Sequence, residues 1–149
     1  ALRSVRPGDV LVVDTQGGEE FGYWGEVMAT AAVTAGVAGL VITGGVRDIM
    51  ALKALGLPTF ATGACIRGTG KDPDGDGALG VPIAIGDVMV RPRDLVVGDA
   101  DGVVVIPAAR ASAAIAAAAD RDREEASILE RLRAGASTME IYNLPGVDR

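Results

Sequence analysis

Histidine is absent from this 149-residue sequence. Ser-His-Asp and Cys-His catalysis, phosphohistidine chemistry and His-ligated zinc are excluded together. One cysteine, Cys65, rules out an intrachain disulfide and suits a reducing cytoplasm. Lysine occurs only as Lys53 and Lys71. The first falls on the outward turn of an expected helix and the second in a polar loop, so neither is desolvated enough for a Schiff-base amine. Aromatic residues are only 3% of the chain, which leaves Val, Ile, Leu and Ala to build the core. No apolar run reaches the length of a membrane span, and no signal-peptide pattern is present. Acids outnumber bases 20 to 14, with no basic stripe and no stacking aromatics, which disfavours a nucleic-acid partner. The means left for catalysis are carboxylates, arginines, backbone amides and a hard metal ion.

What is present reads as an α/β chain. Residues 1–149 are enough for a single domain with its own core. Asp9 to Asp14 is a continuous apolar run, the pattern of a strand buried on both faces. A glycine- and acid-rich loop, Gln16 to Phe21, follows. A helix is expected from Glu26 to Ala35 with Gly36 as its cap, then a second buried strand over Gly39 to Thr43. Gly44-Gly45 suggests a tight turn into a short helix from Val46 to Leu55, stopped by Gly56 and Pro58. Thr59 to Thr62 is a third strand. Strand and helix alternating at this spacing predict parallel βαβ units. After a polar loop over 63–80 the period changes. Short runs at 81–85, 88–91, 94–97 and 103–106, punctuated by Gly86-Asp87, Pro92 and Asp101-Gly102, predict an antiparallel meander. Pro107 opens a long Ala-rich helix to about Ala134, stopped by Gly135, and a last turn spans Thr138 to Asn143.

Several motifs have a simpler reading that prevails. Asp72-Pro73-Asp74-Gly75-Asp76-Gly77 imitates half a calcium loop, but the twelfth place is Ile83, so it reads as a turn. Gly68-Thr69-Gly70-Lys71 fails as a phosphate loop because Cys65 holds the place of the first glycine. Asp99-Ala100-Asp101-Gly102 is foremost a hairpin signal. Arg121 to Glu125 reads as a solvated helix face with i,i+4 pairing.

Arg47-Asp48 is different. It opens the second helix, as Gly25-Glu26 opens the first, with twenty residues between Glu26 and Arg47. One alternative is that Asp48 only complements a helix N-terminus while Arg47 is a surface charge. The other follows from topology, since open α/β sheets bind ligands beyond the carboxyl ends of parallel strands. If the first two strands are neighbours, Glu26, Arg47 and Asp48 converge in one crevice, with the N–H groups of Val27 and Met28 aimed into it. Such a site suits a small carboxylate gripped by Arg47 beside a divalent metal on Asp48.

An acid, twenty residues, then Arg-Asp resembles the signature of the RraA-like family, whose enzymes are class II 4-hydroxy-4-methyl-2-oxoglutarate aldolases. Pro7 to Asp14, Gly25-Glu26, Gly39 to Ile42, Gly45 to Asp48, Arg67-Gly68-Thr69 with Lys71, and Asp99 to Pro107 carry the resemblance from about Pro7 to Leu144. It implies a three-layer β/β/α (swivelling-domain-like) fold, assembled as trimers or hexamers in the cytoplasm. It also implies Mg2+ or Mn2+ on Asp48 and a pyruvyl carboxylate on Arg47. Gly25, Val27 and Met28 would lie along the substrate. Glu26 would hold a water of the metal's shell and act as the acid–base group. An acid of the neighbouring subunit's C-terminal helix would complete that shell, Glu125 in first place with Glu124 beside it. The implied reaction cleaves a 4-hydroxy-2-oxo acid to pyruvate, with oxaloacetate decarboxylation alongside. The alternative within the family is a non-catalytic protein that binds and regulates a ribonuclease. Those members tend to lack the metal aspartate, which is kept here. Three departures stand out, the first being that the loop around Pro73 to Ala78 diverges from the family's, which leaves substrate choice open. The family's N-terminal helix and strands do not precede Pro7, and its second Pro-Gly-Asp is here Pro92-Arg93-Asp94.

Overall fold

A computed structural model of the chain describes residues 2–16, 20–70, 75 and 77–145. Lys71 and most of the Asp72–Gly77 turn lie outside the described residues. The sequence reads as one domain; the structure groups it into two compact units, Ala1–Pro107 and Ala108–Arg149.

In the first unit, β1 (Val10–Val13), β2 (Gly22–Trp24), α1 (Glu26–Thr34), β3 (Gly39–Val46), α2 (Ile49–Leu55) and β4 (Thr59–Ala64) form the expected parallel βαβ frame. Strand β3 is central. Parallel β1 pairs with its first half and parallel β2 with its end, while β4 pairs along its length. A strand has two edges, so β1 and β2 share one and β4 takes the other. The first two predicted strands are therefore neighbours.

The period of two divides this sheet. Leu40 and Ile42 point into a core with Ala29 and Ala32 of α1 and Leu52 of α2. The alanines, three apart, put a small-residue face of α1 on the sheet. The intervening residues face the other way. Val12 and Val41 border an apolar cavity of about 300 Å3, together with Ile85, Val90, Val96 and Val105. Hairpins β5 (Ile83–Ile85) with β6 (Val88–Val90) and β7 (Leu95–Gly98) with β8 (Val103–Ile106) close it. Gly98 lies so close to Phe60 of β4 that a Cβ there would sit 2.6 Å from the ring. The order hairpins, parallel sheet, helices is the expected three-layer arrangement. Strand β1 is half-buried along its length rather than sealed on both faces.

Three expectations are corrected. Gly44-Gly45 is not a turn. Both glycines lie inside β3, where a Cβ on Gly44 would approach the Tyr23 ring to 2.5 Å. The small size of Gly44 makes room for Tyr23 of β2, a strand hidden in the sequence by its three-residue length. Helix α2 therefore starts at Ile49, not Val46. The meander is two separate hairpins. Between them the Asp94 carboxylate accepts the Arg91 N–H (2.9 Å) and the Asp94 N–H donates to the Arg91 carbonyl (3.1 Å). Those groups, with Pro92 lacking an N–H, are spent on a turn and cannot extend a ladder.

In the second unit a 3₁₀ turn, Ala108–Arg110, precedes α3 (Ala111–Arg133) and α4 (Thr138–Tyr142). Helix α3 stops at Gly135, which adopts φ 98° and donates to the Leu132 carbonyl while Ala136 donates to Arg131. Among the described residues no helix is long and apolar enough to cross a membrane.

Candidate active site

The site begins where β3 ends. The Arg47 N–H donates to the Trp24 carbonyl (2.8 Å), and the Cys65 N–H donates to the Val46 carbonyl (2.9 Å). The chain is thus held from both sides up to Arg47. Asp48 then takes a left-handed conformation, φ 58° and ψ 41°. Aspartate tolerates this region better than most residues, at a cost of roughly 1–3 kcal/mol. Its carbonyl starts α2 by accepting the Leu52 N–H (2.9 Å), but its side chain does not cap that helix.

The side chain reaches the other helix instead. Asp48 Oδ2 accepts the N–H of Glu26, the first amide of α1, at 3.0 Å. Helix α1 has Gly25 at its cap and no capping side chain of its own, so a residue 22 positions away supplies the acceptor. Asp48 does complement a helix N-terminus, but that of α1 rather than of its own helix. Gly25 is required for the approach. A Cβ there would collide with Asp48 Oδ2 and come 2.9 Å from Arg47 Cγ.

Arg47 is half-buried and tethered. Its Nη1 donates to the Gly22 carbonyl (2.5 Å), and its Nε lies 3.8 Å from Asp48 Oδ2. Among the described residues Nη2 has no protein partner, so one corner of the guanidinium faces outward. The N–H groups of Val27 and Met28, in the open first turn of α1, have no acceptor among the described residues either. The structure thus brings together the Asp48 carboxylate, the Arg47 guanidinium and the backbone of Gly25 to Met28. The Glu26 carboxylate is exposed and bonds to neither Arg47 nor Asp48; its backbone makes the contact. The apolar cavity shares no residue with this site.

The donor set can be tested against a metal. Asp48 Oδ1 has no protein partner among the described residues, and no group of three potential metal ligands is assembled among them. Among the described residues a cage made only of protein ligands is therefore not on offer. Magnesium and manganese need none, since magnesium commonly binds through one or two carboxylates, with waters and substrate oxygens completing the shell. A single unencumbered oxygen on Asp48 fits that mode.

Glu125 belongs to the second unit. There its Oε1 accepts Arg121 Nε (2.7 Å), and Glu124 accepts Arg121 Nη1 (3.0 Å). The paired acids, Glu125 foremost, raise the Arg121 pKa above its ordinary value. This is the expected solvated pairing on a helix face.

Sequence reasoning missed one neighbour of the site. Gly22 joins Arg47 to the loop after β4: its carbonyl accepts from Arg47, and its N–H donates to the Arg67 carbonyl (2.8 Å). The aromatic run at residues 21, 23 and 24 was the available signal for this strand.

Comparison with known proteins adds four findings. The family model described as RraA-like, Aldolase/RraA, matches residues 1–105. A Halalkalibacterium halodurans protein named "Putative 4-hydroxy-4-methyl-2-oxoglutarate aldolase" is 46% identical over 107 residues, covering 72% of this chain and 50% of that protein. Among solved structures, a Pseudomonas syringae pv. tomato protein superposes with a TM-score of 0.81 at 28% identity, covering 91% of this chain and 67% of that one. Streptomyces coelicolor RraAS2, described as an unusual member of the RNase ES inhibitor RraA family, gives a TM-score of 0.75 at 35% identity, covering 89% and 66%. The chain thus spans about half the length of the curated relative and two thirds of the structural ones.

Proposed function

The chain belongs to the RraA-like family and has its fold, and on that premise we propose that it is a divalent-metal-dependent aldolase. Its substrates are 4-hydroxy-2-oxo acids such as 4-hydroxy-4-methyl-2-oxoglutarate, cleaved to release pyruvate, with oxaloacetate decarboxylation as a side activity. The observation that carries this reading is the pairing of Asp48 and Arg47 against the open first turn of α1.

Asp48 is the residue that would hold the ion, Mg2+ or Mn2+. Bound there, the cation supplies a Lewis acid for the substrate's 2-oxo group. The free corner of Arg47 binds the substrate's C1 carboxylate, with the amides of Val27 and Met28 alongside. In the reaction the C3–C4 bond breaks and its electron pair moves onto the pyruvyl half as an enolate. The C4 hydroxyl loses its proton to Glu26, directly or through a water, and becomes the carbonyl of the departing oxo acid; the same proton then returns to C3 of the enolate, giving pyruvate and leaving Glu26 ionised again. Arg47, already fixed by Gly22, stabilises the negative charge without having to reorganise. The assembly is a homotrimer or hexamer in which Glu125, with Glu124 beside it, reaches the site of a neighbouring subunit.

Magnesium-dependent pyruvate release from 4-hydroxy-4-methyl-2-oxoglutarate and from oxaloacetate tests this. Asp48→Asn and Arg47→Ala should each bring it close to zero. Full activity in both variants, or after chelation, overturns the proposal. A second reading, a non-catalytic protein that binds a ribonuclease, draws on the 35% identity to RraAS2. No pyruvate release together with retention of a ribonuclease in a pull-down would favour it.

A further inference from the structure

Arg47 and Asp48 are neighbours in more than sequence. A Cβ built on Gly25 would meet both Asp48 Oδ2 and Arg47 Nε within 3.0 Å, so the two groups converge on one point. The guanidinium cannot swing away, because the Gly22 carbonyl holds its Nη1 and the Trp24 carbonyl holds the Arg47 backbone N–H. The carboxylate is held in turn by the Glu26 N–H. Both side chains are less than half exposed, so water screens their charges only in part.

The single negative charge of Asp48 thus already answers two positive groups. One is the guanidinium, 3.8 Å away. The other is the N-terminus of α1, which carries roughly half a charge. Glu26 is the acid in that first turn, but its exposed carboxylate bonds to neither Arg47 nor Asp48 and is screened by water. A dication arriving alone on the free Asp48 oxygen therefore meets a carboxylate neutralised in advance. It would stand within roughly 8 Å of the guanidinium, where repulsion costs about fivefold in affinity even at the dielectric of water. A carboxylate on the free corner of Arg47 removes that cost.

We infer that the charge of Arg47 couples the two ligands of the site, so that Mg2+ binds weakly alone and about tenfold more tightly beside a 2-oxo acid. This rests on the aldolase reading above for the places of the ion and of the C1 carboxylate. The anion answers the guanidinium and frees the Asp48 charge for the cation. By linkage, the cation tightens the oxo acid by the same factor. The chain without substrate holds little Mg2+, and ion and oxo acid are taken up as a pair. In this role Arg47 acts on the cation through charge alone and needs no contact with it. The Mg2+ concentration for half-maximal rate should accordingly fall as substrate rises.

Calorimetric titration of the chain with MgCl2 at fixed ionic strength, alone and with saturating pyruvate, tests this. The wild-type chain should bind Mg2+ about tenfold more tightly with pyruvate, and pyruvate about tenfold more tightly with Mg2+. Arg47→Gln keeps an N–H for the Gly22 carbonyl but carries no charge. It should bind Mg2+ alone about fivefold more tightly than the wild type and lose most of the pyruvate effect. Arg47→Lys keeps the charge and should match the wild type for Mg2+ alone. If pyruvate merely chelates the ion, Arg47→Gln leaves the affinity for Mg2+ alone unchanged, and that result overturns the inference. So does a wild-type affinity for Mg2+ that pyruvate does not alter, or no Mg2+ binding in either condition; both are read on the wild type and do not depend on a variant that folds. If no 4-hydroxy-2-oxo acid releases pyruvate but Mg2+ affinity still answers to pyruvate and to the charge at position 47, the aldolase reading fails and the coupling stands. Magnesium-dependent pyruvate release with a Mg2+ affinity indifferent to that charge is the reverse case.

Discussion

Leu40, near the start of β3, is fully buried, whereas Val104, in the middle of β8, is 60% exposed. The contrast runs through the chain. Among the described residues, nine of the ten buried apolar ones run from Trp24 to Leu57; Val90 is the one in the hairpins, and none of those in α3 or α4 is buried. Residues 10–64 are held by contacts between elements far apart in sequence. Residues 83–142 are held largely by local devices: tight turns, i,i+4 ion pairs and a helix cap. The candidate site stands on the first kind of structure. Asp48 and Glu26 can meet across 22 positions only because the core fixes where α1 and α2 begin.

Substitution should separate the two regions sharply. Leu40→Ala should cost about 2–5 kcal/mol in denaturant unfolding, the range for emptying a packed core position. Val104→Ala should stay within about 0.5 kcal/mol, as exposed substitutions usually do. Equal losses at both positions would mean that the hairpins contribute to the core as much as the sheet does.

Next in size is Gly25→Ala. The added methyl must push the Asp48 carboxylate off the Glu26 N–H. Strain of this kind costs about 1–3 kcal/mol. If the proposed reaction is right, displacement by 1 Å or so should lower pyruvate release by about 10²-fold. Stability and rate unchanged in this variant would show that the contact between Asp48 and α1 is dispensable.

The local devices allow a matched comparison between two turns. Arg6-Pro7-Gly8-Asp9 and Arg91-Pro92-Arg93-Asp94 have the same hydrogen bonds, with the aspartate carboxylate accepting the first arginine's N–H at 2.8 and 2.9 Å. The third residue has positive φ in both, 90° at Gly8 and 77° at Arg93. Only glycine takes that conformation without strain. Arg93→Gly should therefore stabilise the chain by about 0.5–1 kcal/mol, after the extra freedom it gives the unfolded state is set against the relief. A destabilised variant would mean that the Arg93 side chain makes up for its backbone.

This pair also shows what the sequence could and could not reveal. The break at Pro92 was legible because proline cannot extend a ladder, but the matching turn at Arg6 to Asp9 was not read. The parallel strands were legible because buried β-strands are continuous apolar runs, and Arg47-Asp48 was placed near the junction of the second strand and second helix, but inside the helix where the structure has the pair between β3 and α2. Strand β2 was not legible: three residues carry too little periodicity, and its partner Gly44-Gly45 looks like a turn until Tyr23 is seen to need the space. Nor could sequence show that Asp48 serves the other helix, since its left-handed backbone depends on tertiary contacts.

The smallest effect belongs to α4, which depends on a single capping box. Ser137 Oγ accepts the Glu140 N–H (3.2 Å), and Glu140 Oε2 accepts the Ser137 N–H (2.7 Å). The backbone bond from Ser137 is the main cause, and its hydroxyl the second, of a Glu140 pKa below the ordinary carboxylate value. Because the folded value is the lower one, the unfolded chain takes up a proton first as pH falls. The box contributes its full stability above the ordinary glutamate range and loses it as pH drops through the depressed value. Glutamine can make the same two bonds but does not titrate. Glu140→Gln should therefore leave α4 formed near neutral pH and remove its share of the acid-induced loss, read from the amide signals of Ser137 and Glu140 across an acid titration. An unchanged titration in this variant would assign the acid sensitivity of α4 to other carboxylates, and the second unit would then depend on more than its local pairs.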